Sequence, residues 1–494
     1  MSLKNKDNKS IFDIKLSIEK DENAHKTLTL RSFYRQFDKE NKKVPIAYYE
    51  ALREPDIVKR ERLIERLLNE YEEGKIARNE ARLIELGSKE WPSEVVDGLI
   101  KERLNGARDW VLIGGPPCQA YSNVGRSRVG GISRDDHRVY LYREYLRIIE
   151  KHNPSVFVME NVKGLLSAKV DGESVFDWMK RDLKVSDNYE IHSLVRPVTK
   201  DSDFLIKSEN FGIPQKRHRV ILLGVRKDIN HTDVYLKEKK EQVTLKSVID
   251  VLPAIRSGLS KEFYKYHPTE RYKNGLPKRE YKTLEDSDKL WSDIFNKHVD
   301  KLGEWGSLKI NSLDNASKLY KHSTGREYIE CKNVIDANHP LKSWYYDKEL
   351  AGVLNHESRS HLKQDLMRYL FASLYVEQRG DFPRLNDYAE HHKDLIPDHA
   401  NVESGKFTDR FRVQLPDKPA TTVTSHISKD GHYFIHYDPK QCRSLTVREA
   451  ARIQTFPDNY LFRGSRTAQY HQVGNAVPPY LAYQIAEIVL SHFI

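Results

Sequence analysis

Residues Trp110-Val-Leu-Ile-Gly-Gly-Pro-Pro-Cys-Gln-Ala-Tyr-Ser122 constrain this chain more than any other stretch. The apolar run Val111 to Ile113 reads as a short buried strand, broken at once by Gly114 and Gly115. Pro116 and Pro117 stiffen the turn that delivers Cys118. A strand ending in a rigid loop that presents a thiol suits a nucleophile, because attack geometry has to be held before reaction. The same residues admit a buried cysteine packed as a small apolar side chain. The loop alone leaves both readings open.

Around this loop, residues 11 to 227 alternate apolar strand-like runs with helical ones, the pattern of an α/β sheet. Ile14 to Ile18, Val111 to Ile113, Val156 to Met159 and Val220 to Val225 read as strands. Leu141, Tyr145, Ile148 and Ile149 share one helical face and predict a crossover helix. Residues 38 to 108 interrupt the pattern with Lys, Arg and Glu. A helix after Pro55 carries Val58, Leu63, Ile64, Leu67, Leu68 and Tyr71, and the stretch as a whole reads as a solvated insertion. From 228 to 440 Lys, Tyr, Trp and His interleave, as in Phe263-Tyr-Lys-Tyr-His-Pro, and Leu362, Leu366, Leu370 and Leu374 mark one helix. Such a segment fits a DNA reader, since Lys and Arg take phosphates and aromatics stack; its Tyr and Trp equally fit the core of an irregular domain. In the last stretch, 441 to 494, Thr446-Val-Arg-Glu449 is a capping box, and a final helix from about Tyr480 buries Leu481, Ile485, Ile488 and Phe493.

A net charge of +10 over 494 residues favours a polyanionic partner. No run of about 18 apolar residues predicts a membrane span, and Met1 to Ser10 lacks the apolar core of a signal peptide. Cys118, Cys331 and Cys442 follow no zinc spacing, so no metal is expected and a reducing cytoplasm is the expected compartment.

Four further blocks follow the Pro-Pro-Cys118-Gln119 loop. They are Val156-Phe-Val-Met-Glu160-Asn161-Val162, Gln215-Lys-Arg217-His-Arg219, Arg443 to Pro457, and Gln472-Val-Gly474-Asn475-Ala-Val-Pro478-Pro479. Together and in this order they resemble the DNA (cytosine-5)-methyltransferases. The resemblance implies a Rossmann-like, S-adenosylmethionine-dependent sheet domain (residues 1–227 and 441–494) with a large inserted target-recognition domain (228–440). It implies methylation of carbon 5 of cytosine in a specific duplex DNA site, in a bacterial restriction–modification setting with a cognate endonuclease. Cys118 would add to carbon 6 of a flipped-out base, and covalent addition splits one difficult step in two. A protonated Glu160 would donate to N3; a carboxylate salt-bridged for structure is the competing reading. Arg217 and Arg219 alternate and point the same way on an extended segment, with Arg219 at the cytosine O2 and the other arginine steadying the loop or a phosphate. Donor contacts are implied at Glu19, Pro116, Leu141 and Asn475, with Glu19 as the acid that holds ribose hydroxyls. DNA contacts are implied at Gln119, Ser122 and Arg126.

One family element is not found. A Phe-x-Gly-x-Gly loop belongs about 20 residues before the ribose acid, yet eighteen residues precede Glu19 and the first glycine is Gly74. The expectation is a chain without one strand and half of the donor pocket. It would start late, take the piece from an N-terminal companion chain, or bind the donor weakly. A catalytically silent DNA-binding relative and an RNA cytosine methyltransferase are the rival functions.

Overall fold

The computed structural model describes residues 3–116, 137–170 (side chains from 141 to 169), 173–184, 187–272, 275–306, 308–310, 313, 323–331, 335–336, 338–397 and 410–493. Two compact units divide the chain: Met1–Tyr48, Glu61–Gln242 and Val477–Ile494 form the first, and Tyr49–Arg60 with Val243–Ala476 the second.

In the first unit, strand β1 (Ser17–Glu19) leads into helix α1 (Glu22–Lys39) and pairs in parallel with β2 (Ala81–Leu83). The larger sheet contains β3 (Val111–Gly114), β4 (Val156–Val162), β5 (Tyr189–Ser193), β6 (Leu205–Lys207) and β7 (His218–Arg226). Its order is β3-β4-β7-β5, with β6 also on β7; β3 and β4 are parallel and the β7 pairings antiparallel. Strand parity explains the layers. Phe157 and Met159 of β4 and Val220 and Leu222 of β7 pack with Tyr142, Tyr145 and Ile149 of the crossover helix (His137–His152). Val156, Val158, Ile221, Leu223 and Val225 point the other way, onto Leu481, Ile485, Ile488 and Val489 of the C-terminal helix (Pro479–Ser491). A sheet covered on both faces needs near-continuous apolar runs, which is how these strands read.

Three expectations change. The first strand spans Ser17–Glu19 instead of Ile14 to Ile18, because its partner β2 offers only three residues, and Ile14 is exposed. Residues 38 to 108 are not simply a solvated insertion: they supply β2 and the helix Ser93–Leu104, and bury Ile64, Leu67, Leu68, Ile84, Val96 and Ile100. Val58 is 61% exposed, since it lies off the face shared by Arg60, Ile64 and Leu67.

The second unit is built around the helices Asp288–Glu304 and Lys363–Arg379, whose Trp291, Phe295, Leu366, Leu370 and Leu374 share a core with Phe411, Val413 and Ile435. The capping box forms as read: Thr446 Oγ1 accepts from the Glu449 amide at 3.1 Å and Glu449 Oε2 from the Thr446 amide at 2.7 Å. The helix it opens, Val447–Ile453, is buried on every side. Its charges are matched inside: Arg443 pairs with Glu449 at 2.6 Å and Arg452 with Asp458 at 2.8 Å. Arg448 donates to the carbonyls of Leu354, Pro457 and Tyr460. Full pairing is what lets a charged helix be buried.

Candidate active site

The site forms at the carboxyl ends of β3 and β4, where open α/β sheets place their ligands. Gly114, the last residue of β3, has no room for a side chain: a Cβ there would lie 2.5 Å from the Tyr145 ring. That ring is fixed by its hydroxyl, which donates to the Val158 carbonyl at 3.1 Å. At Gly115 a Cβ would lie 3.1 Å from Glu160 Oε2. Two glycines therefore bring the start of the Pro-Pro-Cys loop against the Glu160 carboxylate.

Glu160 sits opposite Ile221 and two residues along from the Val162–Arg219 pair, so Glu160 and Arg219 share a face. Arg219 Nε lies 2.7 Å from Glu160 Oε1, with both side chains mostly buried. Burial lowers the Arg219 pKa against the opposing pull of Glu160. Arg217, 2% exposed, falls in the one-residue break before β7. Burial first, and the Arg219 charge second, bring its guanidinium down to about 9. Two arginines held this close and dry need a negative or electron-rich partner. Ser208 fixes the break: its Oγ accepts from the Arg217 amide at 3.0 Å and donates to the Gln215 carbonyl at 2.6 Å.

The structure thus brings Glu160, Arg217 and Arg219 together. Cys118, Gln119, Ser122 and Arg126 lie outside the described residues. Glu19 ends β1, with Oε1 accepting from the Asp21 amide at 2.8 Å, and is only partly buried. Pro116 follows β3 and Leu141 lies on the crossover helix, both half-buried. Asn475 is exposed at the end of the helix Arg466–Asn475 in the second unit. Tyr145 and Ser208 were not singled out as site residues from sequence; only their contacts with Gly114 and Arg217 give them a positioning role. The other two thiols are poor nucleophiles: burial pushes Cys331 up to about 11 and raises buried Cys442 further, its Sγ against the Leu366 carbonyl. Among the described residues no group of His, Cys, Asp and Glu is placed to hold a metal ion. None of their helices is long and apolar enough to cross a membrane.

Residues 101–491 match the family model of the C-5 cytosine-specific DNA methylases. The chain belongs to this family. A C-5 cytosine methylase uses S-adenosylmethionine as methyl donor and DNA as substrate. Among its relatives is the type II methyltransferase M.Bpa9945I of Bacillus paralicheniformis, 34% identical over 383 residues, 77% of this chain and 69% of that one. The type II methyltransferase M1.HphI of Haemophilus parahaemolyticus is 28% identical over 398 residues, 80% and 72% of the two chains. The DNA (cytosine-5-)-methyltransferase M.ApeKI of Aeropyrum pernix is 28% identical over 411 residues, 78% and 81%.

Proposed function

We propose that this methylase modifies cytosine in one specific duplex DNA sequence, on a base turned out of the helix. Its setting is the cytoplasm of a bacterium, as the modification half of a restriction–modification system with a cognate endonuclease. Relatives named type II methyltransferases support that setting. The observation that carries the reaction is the Glu160–Arg219 pair pressed against Gly115, three residues before Cys118.

The Cys118 thiolate adds to carbon 6, forming a C–S bond and making carbon 5 nucleophilic. Bound S-adenosylmethionine supplies the methyl group. A water-borne base then takes the carbon 5 proton, the C–H electron pair re-forms the C5=C6 bond and expels the Cys118 thiolate, and N3 returns its proton to Glu160. Arg219 occupies Glu160 Oε1, which leaves Oε2, the oxygen facing Gly115, to deliver a proton to the base N3. Arg219 also serves the base O2, and Arg217 holds the loop or a phosphate. Gln119, Ser122 and Arg126 contact DNA, and residues 228–440 choose the sequence.

Transfer of labelled methyl groups into duplex DNA tests the Glu160 role. Glu160→Gln should lower turnover by about 10²–10⁴, the usual range for an acid–base group, with DNA affinity nearly unchanged. Wild-type turnover accompanied by a lowered melting temperature would leave Glu160 a structural ion pair.

For the donor, Glu19 fits the ribose side, a half-buried carboxylate at the end of a parallel strand, with Pro116 and Leu141 of the same unit as further contacts. The opposite side takes one further parallel strand that bears a glycine turn. Two open edges support this. Among the described residues β1 pairs only with β2, and β3 pairs within its sheet only with β4. Ile18 of β1 and Leu112 of β3 pack against one cluster of Ile84, Val96, Ile100 and Ile148, and Ile113 is 72% exposed on the open edge. Unpaired edges of this kind take an extra strand. Calorimetric titration with S-adenosylmethionine should show affinity rising about 100-fold when a Phe-x-Gly-x-Gly segment is added, a few hydrogen bonds' worth. Micromolar binding without it would contradict the added strand.

A further inference from the structure

We propose that an exposed two-stranded ribbon in the second unit is an arm that lies along duplex DNA. The inference rests on the reading of this chain as a duplex DNA methylase and names a surface that holds the substrate away from the reacting base. Strand β8 (Lys261–Arg271) pairs antiparallel with β9 (Pro277–Thr283), and neither joins another strand among the described residues.

The ribbon contributes nothing to a core. No described residue of either strand is buried. It is tied down at its base, where the Leu284 amide donates to the Ser260 carbonyl at 2.9 Å and Lys363 pairs with Glu262 at 2.8 Å. An isolated two-stranded hairpin is marginal in water, so a ribbon without a packed face implies another surface to lie on.

Its chemistry selects that surface. Residues 261–283 hold seven lysines and arginines against three glutamates. Among the described residues, the tyrosine, tryptophan and phenylalanine side chains that are exposed all lie here: Tyr264 at 64%, Tyr266 at 49% and Tyr272 at 44%. Exposed tyrosines among basic side chains suit bases, sugars and phosphates better than an apolar protein face. Shape agrees. Pairing shifts between Phe263 and Lys265 and again between Tyr266 and Arg271, and such bulges sharpen the twist of a ribbon. The Arg271 guanidinium caps the second shift by donating to the carbonyls of His267, Pro268 and Glu270. A two-stranded ribbon is narrow enough to enter the major groove, and at about 3.4 Å per residue β9 covers roughly 24 Å of it.

Fluorescence anisotropy of the full chain on duplex DNA over a range of salt tests the arm. The triple variant Lys261→Glu, Lys282→Glu, Tyr264→Ala should bind at least tenfold more weakly. Its slope of log affinity against log salt should shrink by about 2, close to one per lost phosphate contact. Unchanged affinity and slope would overturn the arm. The second measurement is independent of any loss of stability: p-azidophenylalanine in place of Tyr264 should photocross-link to duplex DNA. Cross-links to protein alone, or none while the DNA is bound, would also overturn it. Failure of the unaltered chain to bind duplex DNA would instead sink the functional reading beneath.

Discussion

Arg219 meets two demands at once: it holds Glu160 Oε1 across a 2.7 Å contact and crowds Arg217, whose own charge is already costly to keep buried. Guanidinium geometry allows both, because one planar fork donates in several directions, and a lysine ammonium would not. Arg219→Lys should therefore cost at least about tenfold in turnover, the equivalent of one charge-assisted hydrogen bond. Steady-state methyl transfer at saturating DNA measures it, and wild-type turnover would place Arg219 outside the reaction. Much at this scale was legible. Glu160, Arg217 and Arg219 stand out because the blocks that carry them, in their order, resemble those of the cytosine-5 methyltransferases. Their pairing was not legible, since it depends on the register that sets Glu160 opposite Ile221 and Arg219 opposite Val162. Tyr145 was legible only as a core residue of its helix; nothing in the sequence ties its ring to Gly114.

Among the elements, β3, β4 and β7 were readable because a strand buried on both faces is written as an unbroken apolar run. Strand β5, Tyr-Glu-Ile-His-Ser, carries no such run and went unseen, and so did the ribbon of β8 and β9, whose stability owes nothing to alternation. The helix Val447–Ile453 illustrates the opposite failure. Arg448, Glu449 and Arg452 look like a solvated face, and partners such as Asp458, Arg443 and the carbonyls of Val248, Leu354, Pro457 and Tyr460 make them interior residues. The joint of β4 and β7 yields a stability prediction. Gly224 faces Phe157 across the strands, and a Cβ there would lie 2.1 Å from that ring. Gly224→Ala should destabilise the chain by about 1–3 kcal/mol through overpacking, read from the urea midpoint. An unshifted midpoint would mean the ring is free to move.

For the whole molecule, buried histidines set an acid limit. His298, His356 and His436 in the second unit, and His192 in the first, are all brought down to about 4, burial being the main cause. The unfolded chain binds protons near pH 6.5 that the folded one refuses, so their contribution is complete above about 6.5 and lost as pH falls toward 4. The Glu449 carboxylate, lowered by Arg443 against its own burial, adds a loss further into acid. Urea midpoints should fall steadily from pH 7 to pH 4.5, and a flat profile would contradict neutral burial. The proposed reaction rests on one thiol, Cys118, since burial raises both Cys331 and Cys442. The most direct measurement is covalent trapping on duplex DNA carrying 5-fluorocytosine at the target base, with S-adenosylmethionine and the added Phe-x-Gly-x-Gly segment present. Fluorine blocks the final proton loss, so a denaturant-stable protein–DNA complex should accumulate, with the cross-link mapping to Cys118 and disappearing in Cys118→Ser. A complex that never forms, or one that survives Cys118→Ser, would contradict the assignment of Cys118 as the nucleophile.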